Sequence, residues 1–85
     1  MKVFNYVIKD EIGIHARPAG MLAKTAKSFT SKITLTANGK TVEATKLMAV
    51  MGLGVKQGAE VIIQADGADE DVAIAKMEEF MNANL

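Results

Sequence analysis

Lys32-Ile33-Thr34-Leu35-Thr36-Ala37-Asn38-Gly39-Lys40-Thr41-Val42-Glu43-Ala44 is the stretch whose reading decides the fold. Its first six residues alternate. Ile33, Leu35 and Ala37 fall on one face, and Lys32, Thr34 and Thr36 on the other, which is the period of a strand with one buried face. Asn38-Gly39 is a favoured pair for a two-residue type I′ hairpin, because both central residues must take positive φ. Such a turn sets the register: Ala37 faces Lys40, Leu35 faces Val42 and Ile33 faces Ala44. The apolar residues of both strands then share a face, and a slip by one residue would turn them to water.

Outward from the hairpin, the chain reads as strands and helices in alternation. Val3 to Ile8 is rich in β-branched and aromatic residues and predicts a strand with Phe4, Tyr6 and Ile8 on one side. A loop, Lys9 to Ile14, follows with Gly13 as punctuation. Ala16 to Lys27 predicts a helix, since Ala19, Leu22, Ala23 and Ala26 recur at three- and four-residue spacing. Pro18 falls in its first turn, where a missing amide costs little. Thr45 to Met51 predicts a short helix ended by Gly52 and Gly54, with Thr45 as its cap. Lys56-Gln57-Gly58 is a turn. Glu60 to Asp66 predicts a strand with Val61, Ile63 and Ala65 inward, and a last helix starts at Asp69 as N-cap. Glu70 and Asp71 then sit where the dipole favours anions, and Ala73, Ile74, Met77, Phe80 and Met81 form the buried stripe. The order β-α-β-β-α-β-α belongs to the α+β class, and a sheet with helices on one face is its natural solution.

The chain has 85 residues, enough for one core and not two, so residues 1–85 are expected to form a single domain. Ten cations balance ten anions, so no global cationic field draws nucleic acid, and no nucleic-acid partner is expected. With no Cys, disulfide scaffolds, Cys-ligated zinc and CxxC redox sites are excluded. Apolar runs are a few residues long, short of the ~20 that span a bilayer, and the N-terminus lacks the apolar core of a signal peptide. The expectation is a small cytoplasmic domain with no membrane insertion.

His15 is the only histidine, and it stands where the first helix begins. A lone histidine is in most domains a surface or capping residue. Here its surroundings point further. A helix N-terminus offers unpaired amides and a positive dipole end, which together seat a phosphate. Pro18 has no amide, so the donors are those of Ala16 and Arg17. A neutral imidazole is a nucleophile, and the planar fork of Arg17 can pair with two phosphoryl oxygens. There is no second His for a metal pair and no P-loop, and Asp69, Glu70 and Asp71 read as helix-start residues rather than metal ligands. At 100° per residue, Ala16, Arg17, Gly20, Lys24 and Lys27 share one flank of the helix, either a solvated basic edge or a docking face for an acidic partner. Leu47, Met48, Val50 and Met51 crowd a helix too short to bury them all on one face. Pattern alone leaves two readings, a helix sunk into the core or an adaptable apolar patch.

Gly13-Ile14-His15-Ala16-Arg17-Pro18-Ala19 resembles the active-site signature of the histidine-containing phosphocarrier (HPr) family of the bacterial sugar phosphotransferase system. Asn38-Gly39-Lys40, Met48-Ala49-Val50-Met51 and Leu53-Gly54-Val55-Lys56-Gln57-Gly58 resemble its second signature region, and Ala65-Asp66-Gly67-Ala68-Asp69-Glu70 its last strand-to-helix turn. The resemblance implies an open-faced β-sandwich: a four-stranded antiparallel sheet in the order 1-4-2-3, covered on one face by three helices. It implies a carrier rather than an enzyme, monomeric and without a cofactor. Enzyme I would pass phosphate from phosphoenolpyruvate to Nδ1 of His15, and the carrier would hand it to the A component of a sugar-specific enzyme II (enzyme IIA). Arg17 matches the arginine that contacts the phosphoryl group. Gly20, Lys24, Lys27, Leu47, Met48 and Met51 match docking positions. Many family members carry a regulatory serine at the start of the second helix. Lys46 stands there, so no hydroxyl exists for that kinase, and a fixed cation is the electrostatic opposite of phosphoserine. Two rival readings differ in class: a specialised paralogue acting as a regulatory binding module, and a small acylphosphatase-like hydrolase, which would release phosphate rather than retain it on His15.

Overall fold

The computed structural model describes residues 1–85. Their order is β1 (Lys2–Val7), α1 (Ala16–Lys27), β2 (Lys32–Ala37), β3 (Lys40–Glu43), α2 (Leu47–Gly52), β4 (Glu60–Asp66) and α3 (Glu70–Asn84). The hairpin forms in the register that its turn dictates: Ala37 pairs with Lys40 and Leu35 with Val42, and the Ala44 amide donates to the Ile33 carbonyl at 2.9 Å. Asn38 and Gly39 take φ of 53° and 78°, both positive as a type I′ turn requires. The sheet order is β1-β4-β2-β3 and every pairing is antiparallel. β1 starts and ends one residue earlier than the pattern suggests, because Ile8 leaves the ladder to pair with the Gly58–Ala59 segment.

Burial follows the alternation. Ile33, Leu35, Ala37, Val61, Ile63 and Ala65 are buried on one face of the sheet. The other face carries Asn5, Thr34, Thr36 and Gln64 and stays in part open to water. Ala19, Leu22, Ala23 and Ala26 of α1 and Ala73, Met77, Phe80 and Met81 of α3 close the covered face. Each large side chain removed from water there contributes roughly 1.5–3 kcal/mol. This is an open-faced α+β sandwich. No helix is long and apolar enough to cross a membrane.

Two capping expectations are corrected. Thr45 does not cap α2. The Lys46 amide donates to the Glu43 carbonyl (3.1 Å), which places Thr45 inside a tight turn and moves the cap to Lys46, whose side chain makes no capping bond. Asp69 does occupy the N-cap of α3, but its carboxylate caps nothing. It reaches back to the α1–β2 connection, accepting from the Thr30 amide (2.9 Å), the Ser31 amide (2.8 Å) and the Ser31 hydroxyl.

Candidate functional site

The loop before α1 is held by contacts distant in sequence. Gly13 has φ of +82°, and a Cβ there would stand 2.3 Å from the Val55 carbonyl oxygen and 2.6 Å from Lys56 Cα. Only glycine tolerates both the conformation and the approach. The Ile14 amide donates to that same Val55 carbonyl (3.0 Å), and Gln57 Nε2 donates to the Lys9 carbonyl (3.2 Å). The Lys9 and Asp10 amides donate to the carbonyl of Leu85 at 2.6 and 2.8 Å. Inside the loop, Asp10 Oδ1 accepts from the Ile12 amide at 2.9 Å. The segment after α2 and the end of α3 therefore both brace the approach to His15.

His15 is the N-cap residue of α1, with extended backbone (φ −121°, ψ −174°), and its carbonyl accepts the Ala19 amide at 2.9 Å. Its ring makes no capping bond and is half-buried, so it remains available. The next two amides, of Ala16 and Arg17, precede any intrahelical acceptor. The buried Pro18 closes the turn without a donor. The ring is thus next to two free N–H groups and the positive end of the dipole, the arrangement that receives a phosphate. Arg17 is exposed and takes part in none of the three ion pairs of the molecule, so its guanidinium is free to meet an anion. Neither of the two surface cavities contains His15. The larger, about 390 Å³, lies between Phe29 and Phe80, beside the C-terminal half of α1. His15 lies outside both, half-buried at the surface.

α1 and α2 pack against one another beside this loop. On α1, Gly20 is half-buried while Lys24 and Lys27 are exposed, so the basic flank faces water. On α2, Val50 alone is fully buried. Met48 is 77% exposed, and Leu47 and Met51 also reach solvent. The apolar-patch reading of α2 therefore describes three of its four large residues. Two exposed apolar residues escaped the sequence reading. Met21 is one turn beyond Arg17 on the basic flank, and Ile12 projects from the His15 loop at 66% exposure. Helical spacing from Arg17 could have flagged Met21. Ile12 lies in a loop, where no periodicity exists to flag it. Lys46 is exposed, and its Nζ stands 3.8 Å from Glu43 Oε2.

Comparison with known proteins places this geometry among relatives. A family model described as "PTS HPr component phosphorylation site" matches residues 2–83. The phosphocarrier protein HPr of Mycoplasma capricolum subsp. capricolum is 46% identical over 81 residues, covering 95% of this chain and 91% of that protein. The solved structure of a mycoplasma histidine-containing phosphocarrier protein superposes with a TM-score of 0.94 at 44% identity, over 96% of this chain and 93% of that one. HPr of Thermoanaerobacter tengcongensis is 38% identical over 98% of this chain and 93% of that one, with a TM-score of 0.92. A dimer of HPr from the same organism superposes at 0.77, covering 98% and 95% of the two chains.

Proposed function

The chain belongs to the HPr family of phosphotransferase-system phosphocarriers, and from that premise we propose that His15 is its phosphoryl acceptor. The observation that carries this reading is the free His15 ring at the head of α1, on open surface, beside the Ala16 and Arg17 amides and the unpaired Arg17 guanidinium. Phosphorylated enzyme I presents the group. The Nδ1 lone pair adds to phosphorus as the bond to the donor breaks, and the new P–N linkage holds the phosphoryl until the A component of an enzyme II takes it by the same step in reverse. The two amides and Arg17 stabilise the phosphoryl charge in both directions. No cofactor enters, and the protein is a co-substrate of two enzymes rather than an enzyme itself. One protomer supplies every group named, so it acts as a monomer, in the cytoplasm where its donor is made.

The docking surface is read as the basic flank of α1 (Gly20, Lys24, Lys27) joined to Leu47, Met48 and Met51 of α2. A carrier that must leave one partner for the next needs modest affinity and fast exchange, which suits a small apolar patch with a charged rim. Lys46 removes the serine-linked regulatory branch from the reading.

The test is direct. With enzyme I, Mg²⁺ and labelled phosphoenolpyruvate, the wild-type chain should take up acid-labile, base-stable label on one histidine. His15→Ala should abolish it; label persisting in that variant would overturn the assignment.

A further inference from the structure

Lys56 is held against the His15 loop by hydrogen bonds on both sides of it. Its neighbour Val55 accepts the Ile14 amide at 3.0 Å, its other neighbour Gln57 donates to the Lys9 carbonyl at 3.2 Å, and the Gly58 amide donates to the Ile8 carbonyl at 2.9 Å. Lys56 Cα itself lies where it would be 2.6 Å from a Cβ on Gly13. His15 is two positions from Gly13, a span of roughly 7 Å at most, which a lysine's flexible four-carbon stem can cover. The Lys56 side chain is exposed and takes part in none of the three ion pairs. The nearby acids do not claim it. Asp10 is engaged with the Ile12 amide, and Glu11 is exposed and also unpaired.

We infer that Lys56 is a second cation for the phosphoryl group on His15, acting from the α2–β4 segment as Arg17 acts from α1. The inference rests on the carrier reading above. The physical case is complementary placement. Arg17 and the two amides approach the anion from the helix side. The Val55–Lys56 backbone lies against Gly13 and Ile14, immediately before His15, and its Val55 carbonyl is already taken by the Ile14 amide. Without Lys56, a dianion on His15 would meet Arg17 as its one nearby side-chain cation. The close approach that demands glycine at position 13 is also what brings Lys56 within reach.

A small phosphoryl donor separates this role from partner docking. Phosphoramidate can phosphorylate imidazole without any protein: its P–N bond breaks, ammonia leaves carrying its own protons, and the Nδ1 lone pair forms the new P–N bond while the ring keeps its Nε2 proton. Uptake on His15 is followed by phosphorus-31 NMR. Lys56→Met should slow uptake about two- to fivefold, the value of one exposed charge pair, and Lys56→Arg should restore the wild-type rate. The gap should close at ~1 M salt, where the screening length shrinks to about 3 Å. Thermal melting checks that the exposed substitution leaves the fold intact. Equal rates for wild type and Lys56→Met in low salt, with phosphate on His15 in both, would overturn the role of Lys56 and leave the carrier reading standing. Wild-type protein that takes no phosphate on His15 from either phosphoramidate or enzyme I would overturn both.

Discussion

Gly13 shows how much one residue can be asked to do. Its left-handed backbone alone makes any side chain costly, by about 1–3 kcal/mol, and the approach of Val55 and Lys56 adds an overlap that only backbone movement relieves. Gly13→Ala should therefore lower stability by about 2–4 kcal/mol, read as a fall in the urea midpoint with the slope unchanged. It should also lower phosphate uptake on His15, because the loop that aims the ring is what moves. Gly20 makes the contrast. A Cβ there would meet nothing within 4 Å, so the fold does not need that glycine. In the sequence both are simply glycines. What separates them is a carbonyl that arrives from the far side of the hairpin and α2.

Among the elements, the junction between β4 and α3 departs most from local rules. An aspartate just ahead of a helix is by local chemistry a cap, yet Asp69 joins α3 to the start of β2. The Ser31 hydroxyl, the Thr30 amide and the Ser31 amide hold its carboxyl down at about 2, below the ordinary 3.8. A carboxyl with a depressed folded-state value contributes stability above its unfolded value and loses it as pH falls through the folded one. This contribution is complete near neutrality and disappears between pH 4 and pH 2. Asp69→Asn should be less stable than wild type at pH 7, and the difference in thermal midpoint should narrow as pH falls through that window. A difference that is constant down to pH 2 would mean the carboxylate charge is not what binds Ser31. Gly67 belongs to the same junction, since a Cβ on it would stand 2.7 Å from Ser31 Cα. Glu70 stays nearer the ordinary reading. It lies in the first turn of α3, and its carboxyl is lowered by the α-ammonium of Met1 and by the Gly67 amide.

Across the whole molecule, charge is segregated along the chain although its net is zero. Residues 12–56 carry seven cations and one anion, and residues 57–85 carry one cation and seven anions. The first group contains α1, whose exposed Arg17, Lys24 and Lys27 present positive charge on the flank that starts beside His15. In the proposed docking, steering of this kind acts on encounter and the exposed apolar residues of α2 are assigned to holding the complex. Met48→Asp tests the second part. At 77% exposure the change should leave stability within about 0.5 kcal/mol. It should raise the apparent KM of enzyme I for this chain at least about fivefold, the loss expected for a central apolar contact. Uptake from phosphoramidate should not change. The sequence by itself determined the β2–β3 hairpin and its register, because the 32–44 alternation and the Asn38-Gly39 turn act between near neighbours and a slip exposes every apolar residue at once. It also singled out the proposed acceptor, since one imidazole at one helix start leaves no competitor. Tertiary structure alone decided that Asp69 bonds Ser31 instead of capping α3, and that Leu47, Met48 and Met51 face water while Val50 is buried. It alone decided that the His15 loop leans on Val55 and Lys56. Those outcomes depend on which distant group arrives first at a polar atom or an apolar face, and only the closed fold brings such groups together.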